Sequence, residues 1–367
     1  VSEEVKNTTI SAFLKNAGYE LFYGGKQHLP PSLRPAALGF NYYCSDEREK
    51  LAEETAKLIK EKHENPYFMV VSLIESHDIC FMPIRDFATS ESVKNFIKKS
   101  TVECTSLDKA MEIPAGVTEQ EFFEKYCPPL PPNYEPQKDE PKAIKYLIDL
   151  AAGLPNSNFI RLAHDKYTDK DWRMQRWAYC KLVEMVDKRV QTILDAIKES
   201  GQEENTLIIF SSDHGEMSGA HRLLHKTAFY EESASIPFMA MWKGHITGGR
   251  IDNDHLISSG LDLLPTVCDY AGIKGMSDPR GRSLRPLFEG KKVDWRETLG
   301  VESEIGRMVV NKNKLKYIKY DVVGIEEQLF DLDRDPYEMN PFTNDRKYKQ
   351  RLVKMRKAFT SEWFPGY

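Results

Sequence analysis

The chain has 367 residues, 41% hydrophobic and 29% charged, with a formal net charge of −5. That length holds one large α/β domain plus a smaller one around a substantial core, and the composition is that of an ordinary globular protein. The charge balance gives no sign of a nucleic-acid partner. No apolar stretch is long enough to span a bilayer, and no signal peptide is visible. The cysteines Cys44, Cys80, Cys104, Cys127, Cys180 and Cys268 are widely spaced and form no Cys-x-x-Cys pair, which argues against a zinc cluster. Buried free thiols are the expectation, with Cys104–Cys127 a possible pair in an oxidising compartment.

Residues 8–17 predict a short helix closed by Gly18, which suits a left-handed cap. Tyr19–Tyr23 follows as a strand, and Gly24-Gly25-Lys26-Gln27-His28 leaves it as a loop. In extended chain Lys26 and His28 share a face, so both can reach one anion. Residues 46–62 read as a polar amphipathic helix capped by Ser45. After the Asn65-Pro66 break, Tyr67–Leu73 is a second buried-type strand leading to Glu75-Ser76-His77-Asp78. From about 80 to 140 the pattern is irregular and rich in proline, and CPPLPPNYEP fits neither a helix nor a central strand. An excursion of this kind is expected to wall a substrate site. Residues 172–200 give the clearest helix, with apolar positions three and four apart and Gly201 at the end. At its start, Trp172, Arg173 and Arg176 read as a solvated helix N-terminus rather than a sugar-stacking patch.

The segment 206–232, TLIIFSSDHGEMSGAHRLLHKTAFYEE, carries the most information. The continuous run Leu207–Phe210 predicts a buried parallel strand, and ligand sites in open α/β sheets lie beyond the carboxyl ends of such strands. Asp213 and His214 then sit on the sheet rim as adjacent oxygen and nitrogen donors, with His221, His225 and Lys226 close behind. Leu261–Ala271 is again helical. Met308–Val310 and Lys314–Tyr320 flank an Asn-Lys-Asn turn as a hairpin, Gln328–Leu332 adds a strand, and 345–363 predicts a basic amphipathic helix. The expected fold class is α/β: a large, mostly parallel sheet flanked by helices over residues 1–290, then a smaller C-terminal α+β subdomain with a small antiparallel sheet over 291–367.

Five ordered segments carry a resemblance: TISAFLKNAGYELFYGGKQHL, SLIESHD, SSDHGEMSGAHRLLHKTAFYEESASIPF, SSGLDLLPTVCDYAGI and EEQLFDLDRDPYEMNPF. Together they resemble the sulfatase family of the alkaline-phosphatase superfamily. That family carries its nucleophile in a Cys-x-Pro-Ser-Arg or Ser-x-Pro-Ser-Arg motif whose first residue is oxidised to formylglycine. The motif is not in this sequence; Cys127-Pro128-Pro129-Leu130-Pro131 lacks the Ser and Arg. The chain opens at Val1 in the helix expected to follow that region, so the reading is an N-terminally incomplete sulfatase, inactive without the preceding segment.

The resemblance implies roles. Lys26 bridges nucleophile and sulfate, and His28 contacts the formylglycine. His77 hydrogen-bonds the sulfate or protonates the leaving oxygen, although Ser76 and Asp78-Ile79-Cys80 depart from the family's usual Pro-His-x-Pro. Lys226 is the second sulfate-binding lysine, and His221 borders the substrate pocket. Asp213 and His214 match the C-terminal half of a site for one divalent cation, calcium first, with magnesium or manganese as alternatives. The implied function is hydrolysis of a sulfate ester on a small molecule or glycan, most simply a sulfated sugar, by an exported (periplasmic, secreted or lysosomal) enzyme. Two alternatives stay open: a phosphodiesterase or phosphonate monoester hydrolase of the same superfamily, and a non-catalytic binder of sulfated glycans. Oligomeric state is not readable.

Overall fold

A computed structural model describes residues 2–150, 158–274 and 280–367. Three strands form a parallel sheet: β1 (Glu20–Gly25), β2 (Asn41–Cys44) and β3 (Tyr67–Ser72), in the order β2-β1-β3. The helix Ile10–Asn16 precedes β1 and is capped by the Thr9 hydroxyl. Gly18 follows it at φ 85°, the left-handed turn expected of that glycine. Leu14 from this helix meets Leu21 and Phe40 in the core on one face of the sheet.

The helix Glu49–Lys60 begins later than expected, and Ser45 is not its cap. Arg48 occupies the cap position with no side-chain cap, and the Asp46 carboxylate instead accepts the Arg48 N–H at 2.9 Å. Arg48 is drawn away to a buried ion pair with Asp78 at 2.7 Å.

The long helix Asp169–Glu199 starts with a reciprocal capping box between Thr168 and Asp171. Ile59, Ala196 and Ile197 form a floor under both Met69 of β3 and Ile208 of the next strand. That strand, β4 (Ile208–Ser211), corrects an expectation. It pairs antiparallel with β5 (Phe238–Met241), and among the described residues it makes no ladder with the parallel sheet. An apolar run announces burial but not direction, and helix-to-strand order alone does not choose the partner.

The region from 80 to 140 is also more regular than its prolines suggest. Helices span Phe81–Asp86, Glu91–Lys99 and Thr101–Met111. Pro83 lies in the first turn of its helix, where the missing N–H costs nothing, and Ile79, Phe81, Leu107 and Ala110 pack onto Ala178 and Leu182 of the long helix. The Cys127–Pro131 stretch does stay irregular. Arg173 clamps it, donating to the carbonyls of Pro128 (2.9 Å), Cys127 (3.0 Å) and Phe123, while Trp172 is fully buried. The start of the long helix is thus neither solvated nor a sugar platform. All six cysteines are free.

The C-terminal part is an antiparallel meander, β6 (Thr298–Ser303), β7 (Gly306–Asn311), β8 (Leu315–Tyr320) and β9 (Glu326–Asp331). Alternation along β8 sends Ile318 and Tyr320 against Phe229 and Tyr230. Leu315 and Tyr317 face the helix Lys349–Ala358 instead. The whole is mixed α/β: a parallel sheet flanked by helices, and an antiparallel C-terminal sheet.

Candidate active site

Three strand ends supply the site. At the end of β1, Gly25 adopts φ +92°, and a Cβ there would stand 2.2 Å from the Ser72 carbonyl of β3. Only glycine fits that approach. Its consequence is that Lys26 is pinned from several sides: its N–H donates to Ser72 O at 2.9 Å, the Tyr23 hydroxyl donates to Lys26 O at 2.7 Å, and the Tyr42 hydroxyl donates to Gly25 O at 2.9 Å. β3 leads into a 3-10 turn, Glu75–Cys80, that carries His77. The Arg48–Asp78 pair and the contact of Arg189 with Glu75 at 3.2 Å hold this turn on either side. β4 leads to Asp213 and His214, and Gly215 passes so close to Glu232 that a Cβ would lie 2.0 Å from its carbonyl.

The charged groups meet. Lys226 Nζ donates to His214 Nε2 at 2.7 Å, and His214 Nδ1 lies 2.8 Å from the Gly215 carbonyl. Those two partners assign the neutral imidazole with its proton on Nδ1. Asp213 Oδ2 lies 3.5 Å from His214 Nε2 and its side chain is 74% exposed, so the site opens to solvent. Burial, then the charges of Lys26, Lys226 and His214, push His77 down to about 4, with Asp213 opposing. For Asp213 burial pulls upward, but His214, Lys26 and Lys226 outweigh it and hold the carboxyl below its usual range. His214 is depressed by burial first, with both lysines adding to it. Lys26, His77, Asp213, His214 and Lys226 therefore feel one another, with two ammonium groups against one carboxylate.

Two predicted residues are not brought in. His28 is exposed on its loop and makes no hydrogen bond or ion pair among the described residues. His221 is fully buried: its ring stacks on Tyr230 with centroids 3.9 Å apart, and its Nε2 lies 3.3 Å from Asn133 Nδ2. A residue so enclosed shapes the loop before Lys226 and does not border a substrate pocket. The sequence reading also left Glu216 and Cys80, beside the site, without a role, and gave His225 only its nearness in sequence. Burial raises Glu216 to about 7, lowers His225 to about 4 and raises the Cys80 thiol. A carboxylate set among Gly215 and Met217 was a visible signal. The pairing of Cys80 with His225, far apart in sequence, was not.

Asp213 and His214 have cation-ligand chemistry, since the Gly215 carbonyl fixes the tautomer that puts the imidazole lone pair on Nε2, where the Lys226 ammonium now takes it. They remain two donors, against the six to eight that calcium takes, and among the described residues no group of three or more His, Cys, Asp or Glu side chains is placed to hold a metal. Alone they do not make a complete site.

Comparison with known proteins gives the family and the fold. A family model described as sulfatase matches residues 2–273, and one described as the C-terminal part of N-sulphoglucosamine sulphohydrolase matches 219–362. A Delta 4,5-hexuronate-2-O-sulfatase of Bacteroides thetaiotaomicron is 27% identical over 95% of this chain and 70% of its own length. An arylsulfatase of Clostridium perfringens is 33% identical over 50% of this chain and 39% of its own. Among solved structures, a putative sulfatase from B. thetaiotaomicron superposes with a TM-score of 0.75 at 24% identity, covering 97% of this chain and 74% of that one. A phosphonate monoester hydrolase of Agrobacterium radiobacter gives 0.62 at 19% identity, over 94% and 79%. With a family model covering most of its length and the cationic residues of three strand ends gathered in one place, this chain belongs to the sulfatase family.

Proposed function

We propose that the chain is the body of a sulfuric ester hydrolase that acts on a sulfated sugar. The observation that supports this most is the Lys226–His214 contact at 2.7 Å, with Lys26 and Lys226 both among the charges that depress His77 and His214. A sulfate ester is anionic, and further charge develops on its oxygens as the S–O bond breaks. The Lys226 ammonium is held on the His214 imidazole and the Lys26 backbone is pinned at the end of β1, so two positive charges are supplied for it from fixed positions in the chain. His77 enters neutral at pH 7; an anion bound beside it raises its proton affinity, which suits a group that donates a proton toward the departing oxygen. Sugar as the substrate class comes from the relatives, among them the hexuronate sulfatase.

Asp213 and His214 would supply donors to one divalent cation, calcium before magnesium or manganese, with Lys226 moving off His214 Nε2; the cation would polarise a sulfate oxygen. A formylglycine nucleophile belongs to the same reading. Cys80 does not fill that place, because its thiol is held by His225 at 3.1 Å.

Titration calorimetry with inorganic sulfate at low ionic strength tests the anion site. We expect binding that weakens about tenfold in Lys226→Ala, a loss of about 1.4 kcal/mol. Sulfate binding that is absent, or indifferent to Lys226→Ala, overturns the reading. Methylphosphonate bound more tightly than sulfate would favour phosphonate ester hydrolysis instead.

A further inference from the structure

The loop that carries Lys226 is held in an unusual conformation. Ser218, Gly219, His221, Arg222, His225 and Thr227 all have positive φ, from 43° to 89°. For non-glycine residues that conformation costs about 1 kcal/mol or more each, so the surroundings must hold it. Several side chains do. Arg176 donates to Ser218 O at 3.0 Å, and the Ser218 hydroxyl donates to Gln175 at 3.0 Å. Inside the loop, Glu216 Oε1 accepts the backbone N–H of His225 at 2.8 Å and of Ser218 at 3.4 Å. The His225 side chain then crosses to the other half of the site: its Nδ1 lies 3.1 Å from the Cys80 sulfur, with the Phe159 ring over the imidazole at 5.9 Å. With the thiol raised and the imidazole lowered, both are neutral, and they share one hydrogen bond. Cys80 closes the same 3-10 turn that carries His77.

We infer that Glu216, His225 and Cys80 form a strut between the Lys226 loop and the His77 turn, making them positioning residues that fix the Lys226 ammonium relative to His77. This rests on the proposed anion site. Glu216 seats the backbone on the amino side of Lys226, and His225, its immediate neighbour, is tied across to Cys80. Without the strut the strained loop relaxes, Lys226 leaves His214 Nε2, and His77 loses one of the cations that depress it.

The test uses the full chain and two readouts: the titration of His77 followed by NMR with labelled histidine, and the affinity for inorganic sulfate. Glu216→Ala and Cys80→Ala should raise the His77 titration by about half a pH unit and weaken sulfate about fivefold. Glu216→Gln keeps the acceptor for both N–H groups, and Cys80→Ser keeps a hydrogen-bonding partner for Nδ1 in either direction; both should stay within about twofold of the parent. If the alanine variants are folded by circular dichroism and His77 titrates as in the parent, the strut is refuted. Should Glu216→Ala not fold, Cys80→Ala decides by itself. A His77 shift in the alanine variants of a chain that does not bind sulfate would uphold the strut and sink the proposed function.

Discussion

His221 shows how one imidazole can look like part of a substrate pocket in sequence and serve packing in the fold. It sits two residues after Gly219, with its ring on Tyr230 and no exposed surface. Burial lowers its pKa from 6.5 to about 4, with a backbone contact at Tyr337 opposing. The folded value lies below the unfolded one, so the protonated form is favoured by unfolding. Its contribution to stability is complete above pH 6.5 and is lost as pH falls toward 4. Between pH 7 and pH 5 that loss is about 2 kcal/mol for this group alone. Phenylalanine preserves the stack and removes the titration. Urea unfolding of His221→Phe at the two pH values should therefore show a smaller acid loss than the parent by that amount. An identical loss in both would mean that His221 is protonated in the folded state.

At the scale of elements, the decisive features are where strands end. Gly25 closes β1 at φ +92°, where a Cβ would stand only 2.2 Å from Ser72 O and 2.6 Å from Leu51. Gly25→Ala imposes both a left-handed alanine and a collision with a ladder carbonyl. We expect it to cost about 3 kcal/mol and to weaken sulfate binding through Lys26; an unchanged thermal midpoint would contradict this. The Gly-Gly before Lys26 made this turn legible in the sequence, as the apolar spacing of 172–200 did for the long helix. What was not legible follows from the same physics. The apolar runs of β3 and β4 predicted strands buried on both faces, yet every residue of both is only part-buried. β3 is an edge strand and β4 meets only β5 among the described residues. Periodicity records which residues want burial, while pairing is set by distant segments such as Phe238–Met241, too short to announce themselves. The site was legible to the same extent: Lys26, His77, Asp213, His214 and Lys226 follow strand ends, whereas Cys80–His225 needs three-dimensional contact to appear.

For the whole molecule, the question is how the C-terminal sheet is joined to the site. Lys316 of β8 is fully buried and donates to Phe229 O at 2.8 Å and Glu338 at 2.8 Å, and it pairs with Glu231 at 2.5 Å. Glu338 also accepts the Glu231 N–H at 2.7 Å, and Asn133 of the Pro-rich stretch bonds both Glu232 and Tyr337 O. The segment just after Lys226 is thus locked to β8 and to the turn after β9. This explains why the C-terminal family model, matching 219–362, reaches back through the Lys226 loop. Burial pushes Glu338 up to about 7 against the pull of Lys316, so the pair is held in place at a desolvation cost. Removing one partner should be far worse than removing both. Lys316→Met leaves Glu338 and Glu231 without their cation and should lower unfolding stability by about 3–5 kcal/mol. Lys316→Met with Glu338→Gln removes the buried Glu338 charge, leaving only the part-exposed Glu231, and should recover at least half of that loss. Denaturant melts followed both by fluorescence and by sulfate protection should move together in the single variant, because the ion pair links sheet and site. Two separate transitions, with the sulfate-protected one unchanged, would show instead that the C-terminal sheet unfolds independently of the candidate site.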